Sequence, residues 1–461
     1  MEENGVQTPS IDQEKALKKR AHMLGSKIPR LVFEMSGPTV IAQLVSLVYS
    51  MGDTFFVSGI SPTASAAVSI GFSLLSFLQA IGFGLGMGAG SLISMALGSK
   101  KKEEAETYAS SALYLSLALG LILLVLGQIF LTPLMMAFGA SETSIDMATS
   151  YGRYLFFMAP IFCANCVMNV CLRSEGNAAY AMWGIAIGGL LNFGLDPLFI
   201  YALGLGVSGA AIATLLSNAV SFLILAFPYL RKKAILSMKP SYVSFHFSTY
   251  RKILSSGFPT ILRQGLASLA SALLNNAGKP YGDGVVGAIG ISYKIYLIGR
   301  QITIGIGQGY MPIAGYNYAS GEKKRTKQAF YFSTFLASIV CLSVSLFMLL
   351  FPREIISLFQ KDESVVEPGS QMLRFLAMSL PFLGYSTFVN QTYQCLGHSF
   401  WASILAALRQ GIFFLPLVIL FPYFWGLTGV GLVQPAADIL TFLASIPFHI
   451  YFWKKYLSEP K

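Results

Sequence analysis

Residues 38–60 read PTVIAQLVSLVYSMGDTFFVSGI, and residues 178–205 read AAYAMWGIAIGGLLNFGLDPLFIYALGL. As helices both are long enough to cross about 30 Å of hydrocarbon, and each holds one charged residue, Asp53 in the first and Asp196 in the second. A charge in a bilayer costs at least about 2.5–3.5 kcal/mol even on the most lenient scale, so such residues face a bundle interior or a wet cavity. The two stretches therefore read as membrane helices whose carboxylates have a function.

Composition extends this reading to the whole chain. Of the 461 residues 54% are hydrophobic and only 11% charged, and the mean hydropathy is +0.62. Soluble domains carry about 25% charged residues. Transmembrane β-barrels show weaker, alternating segments of about ten residues, so the chain reads as an all-α polytopic membrane protein. Spans are expected at 31–58, 64–97, 107–131, 148–172, 179–202, 207–229, 253–278, 284–318, 328–351, 369–395, 399–423 and 427–453. These twelve transmembrane helices put both termini on one side.

The net charge of +11 does not point to nucleic acid, because the basic residues concentrate in alternate loops. Lys15 to Arg30, Lys100 to Lys102, Arg173, Arg231 to Lys252, Lys323 to Lys327 and Lys454 to Lys455 fall on one side. The positive-inside rule places that side, with both termini, in the cytoplasm. The expected localisation is the cell's inner (plasma) membrane, multi-pass. Residues 1–30 are polar and lack a short apolar core with a cleavage site, so the first helix is expected to act as the insertion signal.

The chain repeats itself. Gly82-Phe-Gly-Leu-Gly86 through Gly98 aligns with Gly305-Ile-Gly-Gln-Gly309 through Gly321 at a shift of 223. Pro38-Thr39 matches Pro259-Thr260 at 221, and Gly206-Val-Ser-Gly209 matches Gly426-Leu-Thr-Gly429 at 220. The expected organisation is a segment 1–30, an N-lobe 31–229 (helices 1–6), a linker 230–252, a C-lobe 253–453 (helices 7–12) and a tail 454–461. Six helices per copy orient both lobes alike, the arrangement of alternating-access transporters with a site between rocking lobes.

Departures from the repeat locate the chemistry. Asp53 maps onto Leu274 to Asn276, and Asp196-Pro197 onto Leu415-Pro416, so only the first lobe holds the acidic pair. Asn192 lies one helical turn before Asp196, and Thr214 sits on the sixth helix at a similar depth. Such a cluster can bind Na+ through oxygen ligands, or hold one proton between carboxylates that repel each other. The alternative is that Asp53 caps its helix near Gly52 and Asp196 begins a turn at Pro197.

The second lobe has the opposite sign: Arg263, Lys294, Arg300 and Arg409 lie within spans, with Asp438 the local acid. Arg263 and Arg409 either lock helices through Gln264, Gln410 and Asp438 or face an anionic ligand. The candidate cavity residues are Asn169, Gln264, Arg263, Arg300, Gln308 and Arg409, with Asn165 on the same face as Asn169. Gly82 to Gly90 is a packing surface rather than a nucleotide loop, because no strand precedes it. Cys163 and Cys166 form a CxxC with no second pair, and packing explains them better than zinc.

Pro38 with Gly52-Asp53-Thr54, the glycine run to Gly98, Asn192-x3-Asp196-Pro197, and Gly305 through Pro312 to Tyr316-Asn317 together resemble the multidrug and toxic compound extrusion (MATE) family, in its DinF-like prokaryotic branch. The resemblance covers nearly the whole chain. It implies a V-shaped pair of six-helix lobes, functioning as a monomer in the lipid bilayer. It also implies export of small organic, often cationic, molecules in exchange for H+ or Na+, with no other cofactor. Asp53, Asn192, Asp196 and Thr214 would match the coupling-ion site, with Tyr151 a neighbour. Unlike another branch, the seventh helix here has Arg263 and Gln264 but no carboxylate. A flippase or exporter for lipid-linked or anionic substrates is the alternative. An enzyme has no supporting feature, since His22, His246, His398 and His449 are scattered.

Overall fold

In hydrocarbon a backbone N–H or C=O finds no water, so an apolar chain closes its hydrogen bonds inside helices. The computed structural model describes residues 11–58, 62–140 and 142–458, and among them there is no strand. In chain order the helices are α1 (Ile11–Gly25), α2 (Ile28–Ser58), α3 (Pro62–Gly98), α4 (Lys102–Ile129), α5 (Leu131–Ala137), α6 (Ile145–Ser174), α7 (Ala178–Pro197) and α8 (Gly206–Leu230). They continue with α9 (Phe247–Gly278), α10 (Asp283–Ala319), α11 (Lys323–Leu350), α12 (Pro352–Ser357), α13 (Glu363–Cys395), α14 (Ser399–Ala407) and α15 (Phe414–Tyr456). Two π-helical segments, Leu198–Ala202 and Leu408–Phe413, follow α7 and α14.

Nine helical stretches among the described residues are long and apolar enough to cross a bilayer. The last, Ser399–Tyr456, is divided by Gly426, whose φ of 53° and ψ of −132° only glycine adopts without strain. It therefore holds two crossings. The long helices α9 and α10 complete the twelve; they fall below that apolarity and are the ones that carry Arg263 and Arg300. Helices α9 and α13 each begin six residues before the expected span, at Phe247 and Glu363. Hydropathy stops where the hydrocarbon stops, whereas helical hydrogen bonding continues into the interface.

The duplication is visible in backbone detail. Gly206 and Gly426 share nearly one φ, 55° and 53°. A Cβ on Gly209 would stand 2.6 Å from the Phe199 carbonyl oxygen, and one on Gly429 would stand 2.1 Å from that of Phe421. The short helices α5 and α12 also correspond, at a shift of 221.

Helix α3 packs on α6 and α10 on α13, and the two helix sets meet where α3 touches α9 and α10 touches α2. Glycine spacing builds both contacts. Gly82, Gly86 and Gly90 face α6 at Cys166, Val170 and Ser174, while Gly84 and Gly88 face α9. Across the pseudo-twofold, Gly305 and Gly309 lie against Val40 and Ser36 of α2. The Thr39 hydroxyl donates to the Gly305 carbonyl at 2.6 Å and that of Ser36 to Ile306 at 3.1 Å. All five cysteines are buried free thiols, and Cys166 is one of the small residues in the α3–α6 contact.

On the face that carries α1 and the end of α15 the two sets are stitched together. The Gly98 carbonyl accepts from Arg20 Nε and Ser320 Oγ, each at 2.8 Å, and Asn317 Nδ2 reaches the Met23 carbonyl at 3.3 Å. Arg325 Nε donates to Asn317 Oδ1 at 2.9 Å and its Nη2 to the Ser26 carbonyl at 2.6 Å. The bonds from Ser36, Thr39, Arg20, Ser320, Asn317 and Arg325 all lie in this half.

A Cβ on Gly88 would stand 2.1 Å from the Ile253 carbonyl oxygen, whereas one on Gly194 would meet nothing within 4 Å. Gly88→Ala is therefore expected to destabilise the protein by about 1–3 kcal/mol through overpacking, with Gly194→Ala neutral or better. Thermal unfolding in detergent, monitored for both variants, checks this.

Candidate functional site

Helix α7 ends on Asp196-Pro197 and runs into the first π segment, which places the Asp196 carboxyl inside the bundle at 0% exposure. One turn earlier Asn192 Nδ2 points at Asp196 Oδ1, 3.4 Å away, and at Thr214 Oγ1 on α8, 3.3 Å away. The structure thus brings three of the expected residues together. Thr214 Oγ1 donates to the Ala210 carbonyl at 2.9 Å, and Asn218 Nδ2 donates to the Thr214 carbonyl at 2.9 Å. Asn165 Nδ2 donates to the Asn218 carbonyl at 2.9 Å. A string of polar groups therefore runs from α7 through α8 to α6. Asn192 Oδ1 is buried without a hydrogen-bond partner among the described residues. An amide whose nitrogen is used on its neighbours leaves that oxygen for a cation, and the carboxylate and hydroxyl beside it fit the hard-cation donor set.

Asp53 belongs to α2, but its side chain lies outside the described residues. Tyr151 is buried with its ring on Gly71, in an apolar cluster with Val57, Ile200 and Ala210. Ile200 and Ala210 sit four residues from Asp196 and Thr214, so this apolar cluster borders the polar string.

Two expected cavity residues, Asn169 and Gln308, lie on α6 and α10. Asn169 sits in a helix contact: its Nδ2 donates to the Ala181 carbonyl at 2.8 Å, and it is 2% exposed. Asn390 makes the same bond to Ala402 at 2.6 Å, a shift of 221 for both partners. A bond present in both copies is a helix clamp, which a single-copy reading of the sequence could not separate from a cavity lining. Gln308 lies where the lobes close and accepts a short hydrogen bond from Arg173 Nη1. These two border a small cavity with Ser91, Ser94, Ser174 and Met311.

In the second lobe Asp438 is the centre of a saturated knot. Its Oδ1 accepts from Arg409 Nε at 2.6 Å and Gln434 Nε2 at 2.8 Å, and its Oδ2 from the Tyr296 hydroxyl at 2.6 Å and Ser379 Oγ at 3.2 Å. Arg409 Nη2 also donates to Tyr296 at 2.6 Å. Arg409 is therefore a helix lock, whereas Arg263, Gln264 and Arg300 stand outside the knot. The two polar centres are related: Thr214 and Asn218 map at a shift of 220 onto Gln434 and Asp438.

Glu175 escaped the sequence reading because it looks like an ordinary loop residue. It is fully buried at the end of α6, and its Oε2 accepts from the backbone N–H groups of Ile235 and Leu236, both at 3.0 Å. Oε1 accepts from Asn177 Nδ2 at 2.7 Å. It thus anchors the inter-lobe linker to the first lobe. Its repeat partner is Leu396, an asymmetry that could have flagged it. Burial pushes its carboxyl up to about 7, against the opposing pull of its hydrogen bonds and of Lys19. With the folded value above the unfolded 4.5, its contribution is complete below pH 4.5 and is lost as pH rises through about 7. Glu175→Gln is expected to remove a loss of up to about 3 kcal/mol between those limits. Comparing the pH dependence of thermal unfolding in the two proteins checks this.

Asp438→Asn leaves Arg409 without its counter-charge and is expected to cost about 3–5 kcal/mol, with Asp438→Asn/Arg409→Gln recovering most of it. Denaturation of the single and double variants decides the point.

A family model described as MatE matches residues 38–198 and 259–420, one match in each copy of the repeat. The FAD transporter of Shewanella oneidensis is 26% identical over 454 residues, covering 96% of this chain and 98% of its own length. The multidrug export protein MepA of Staphylococcus haemolyticus is 27% identical over 440 residues, covering 95% and 96%. A solved outward-facing structure of a multidrug resistance MATE family transporter of the MOP superfamily superposes with a TM-score of 0.89 at 26% identity. It covers 95% of this chain and 99% of its own.

Proposed function

Because this chain belongs to the multidrug and toxic compound extrusion (MATE) family of membrane transporters, we propose that it is a secondary active antiporter. It exports amphipathic organic molecules, drugs among them, in exchange for H+ or Na+. The observation that carries the reading is the buried oxygen cluster of Asp196, Asn192 and Thr214. A carboxylate there supports coupling, because its charge needs a cation or a proton to stay in a water-poor bundle. Asp53, a carboxylate on α2 whose side chain lies outside the described residues, is proposed as its partner on the family resemblance.

The distribution of basic loops supports a cytoplasmic location for both termini. The stitched face is then the cytoplasmic one, which fits an outward-facing state of two six-helix lobes acting as a monomer. Inward movement of the coupling ion supplies the work, about 2.3 kcal/mol per charge through 100 mV. The FAD transporter relative and the basic second lobe favour a second reading of the cargo, as an anion.

The test is efflux of a fluorescent organic cation from proteoliposomes under an imposed proton or sodium gradient. Transport is expected under one gradient only, reduced at least tenfold in Asp53→Asn and in Asp196→Asn with protein levels unchanged. Retention of gradient-driven efflux in both variants overturns the site.

A further inference from the structure

Once Asp438 is saturated, two guanidinium groups midway along second-lobe helices, Arg263 and Arg300, have no hydrogen-bond or ion-pair partner among the described residues. Arg300, on α10, is 8% exposed, and its Nε is buried with no hydrogen-bond partner. Neither Arg300 nor Arg263, on α9, makes a hydrogen bond or ion pair among the described residues. The single carboxylate nearby has both oxygens occupied, by Arg409 and Gln434 on one and Tyr296 and Ser379 on the other. It has no lone-pair position left for a second arginine. The charges of Arg263, Arg300 and Arg409 act on one another, so three cations and one anion share a neighbourhood.

Their position excludes an interfacial role. Arg263 and Arg300 lie near the middle of helices of 32 and 37 residues. That is midplane depth, where hydrocarbon tolerates an unpaired charge least and where transporters of this architecture bind cargo. A merely structural arginine at this depth would be paired, as Arg409 is. Helix α9, which carries Arg263, packs on a π-helical segment, Leu408–Phe413, where Leu266 lies against Gly411, and such bulges are frequent at functional sites.

We propose that Arg263 and Arg300 form a binding site for an oxyanion group, a phosphate or carboxylate, carried by the compound that the protein moves. A guanidinium fork matches two oxygens of either group, and a site of excess positive charge repels an organic cation. The coupling cation, held in the other lobe, then does not compete with cargo for the same groups. The proposal rests on the export reading for calling the ligand cargo, but binding itself is measured without a gradient.

The full-length protein in phosphatidylcholine nanodiscs is titrated with fluorescein, followed by anisotropy, with inorganic pyrophosphate as competitor. Saturable binding is expected, displaced by pyrophosphate and weakened at least tenfold in Arg300→Gln and in Arg263→Gln. Arg300→Lys should recover part of it, and thermal stability should not fall in either glutamine variant, because each removes an uncompensated charge. Rhodamine 6G, a cation, should bind the variants at least as well as the parent. A second set of nanodiscs containing phosphatidic acid separates the sources of the group. Displacement of fluorescein by that lipid, abolished in Arg300→Gln, assigns the site to a headgroup, and no displacement assigns it to soluble anions. The proposal is overturned if no anion binds saturably, or if parent and glutamine variants bind alike. It is also overturned if Arg300→Gln unfolds the protein and Arg300→Lys restores stability without restoring binding. Gradient-driven cation efflux reports separately on the transport reading, so either can fail alone.

Discussion

The lobes hold together because three glycine-lined surfaces, α3 on α6, α3 on α9 and α10 on α2, let helices approach to backbone distance. A Cβ on Gly257 would stand 2.0 Å from the Gly84 carbonyl oxygen, so α3 and α9 touch main chain to main chain. In a bilayer no hydrophobic force drives helices together, and close van der Waals contact of small residues takes its place. Alternating glycines in α3 serve two partners at once, one face for its own lobe and one for the other. Whatever moves between the lobes must move about these contacts, which lie in the half of the molecule that holds α1 and the end of α15.

Charge is the second constraint, and the duplication shows how it is distributed. Both lobes have a polar centre at equivalent positions on their sixth helices, Thr214 with Asn218 and Gln434 with Asp438. In the first lobe the centre is joined to a carboxylate on α7, and in the second it is joined to Arg409. One gene-duplicated scaffold thus presents opposite polarities from its two halves. Features retained in both copies, such as the Asn169 and Asn390 clamps, belong to the scaffold, and features confined to one copy mark specialised chemistry.

The linker belongs to the same logic. A strand of chain between two lobes would be free to wander, but Glu175 fixes Ile235 and Leu236 through their own N–H groups, and Arg20 ties α1 to both lobes at once. A buried carboxylate is a costly way to hold a loop, and hydrogen bonds offset part of that cost. Here three donors converge on it.

By itself the sequence determined the class, the twelve spans to within a few residues at most ends, the duplication and the identity of the family. These follow from hydropathy, residue spacing and motif order, which are local properties of the chain. It also singled out Asp196, Asn192 and Thr214, because one-turn spacing and depth in a helix can be counted. Tertiary structure decided which polar residues meet. Asn169 and Gln308 could not be assigned from spacing, since a helix face says nothing about which neighbour covers it. Arg263, Arg300 and Arg409 look alike along the chain, and only the packing of α10, α13 and α15 around Asp438 pairs one and leaves two. An ion pair depends on distances between segments far apart in sequence, and those distances exist only once the helices have packed.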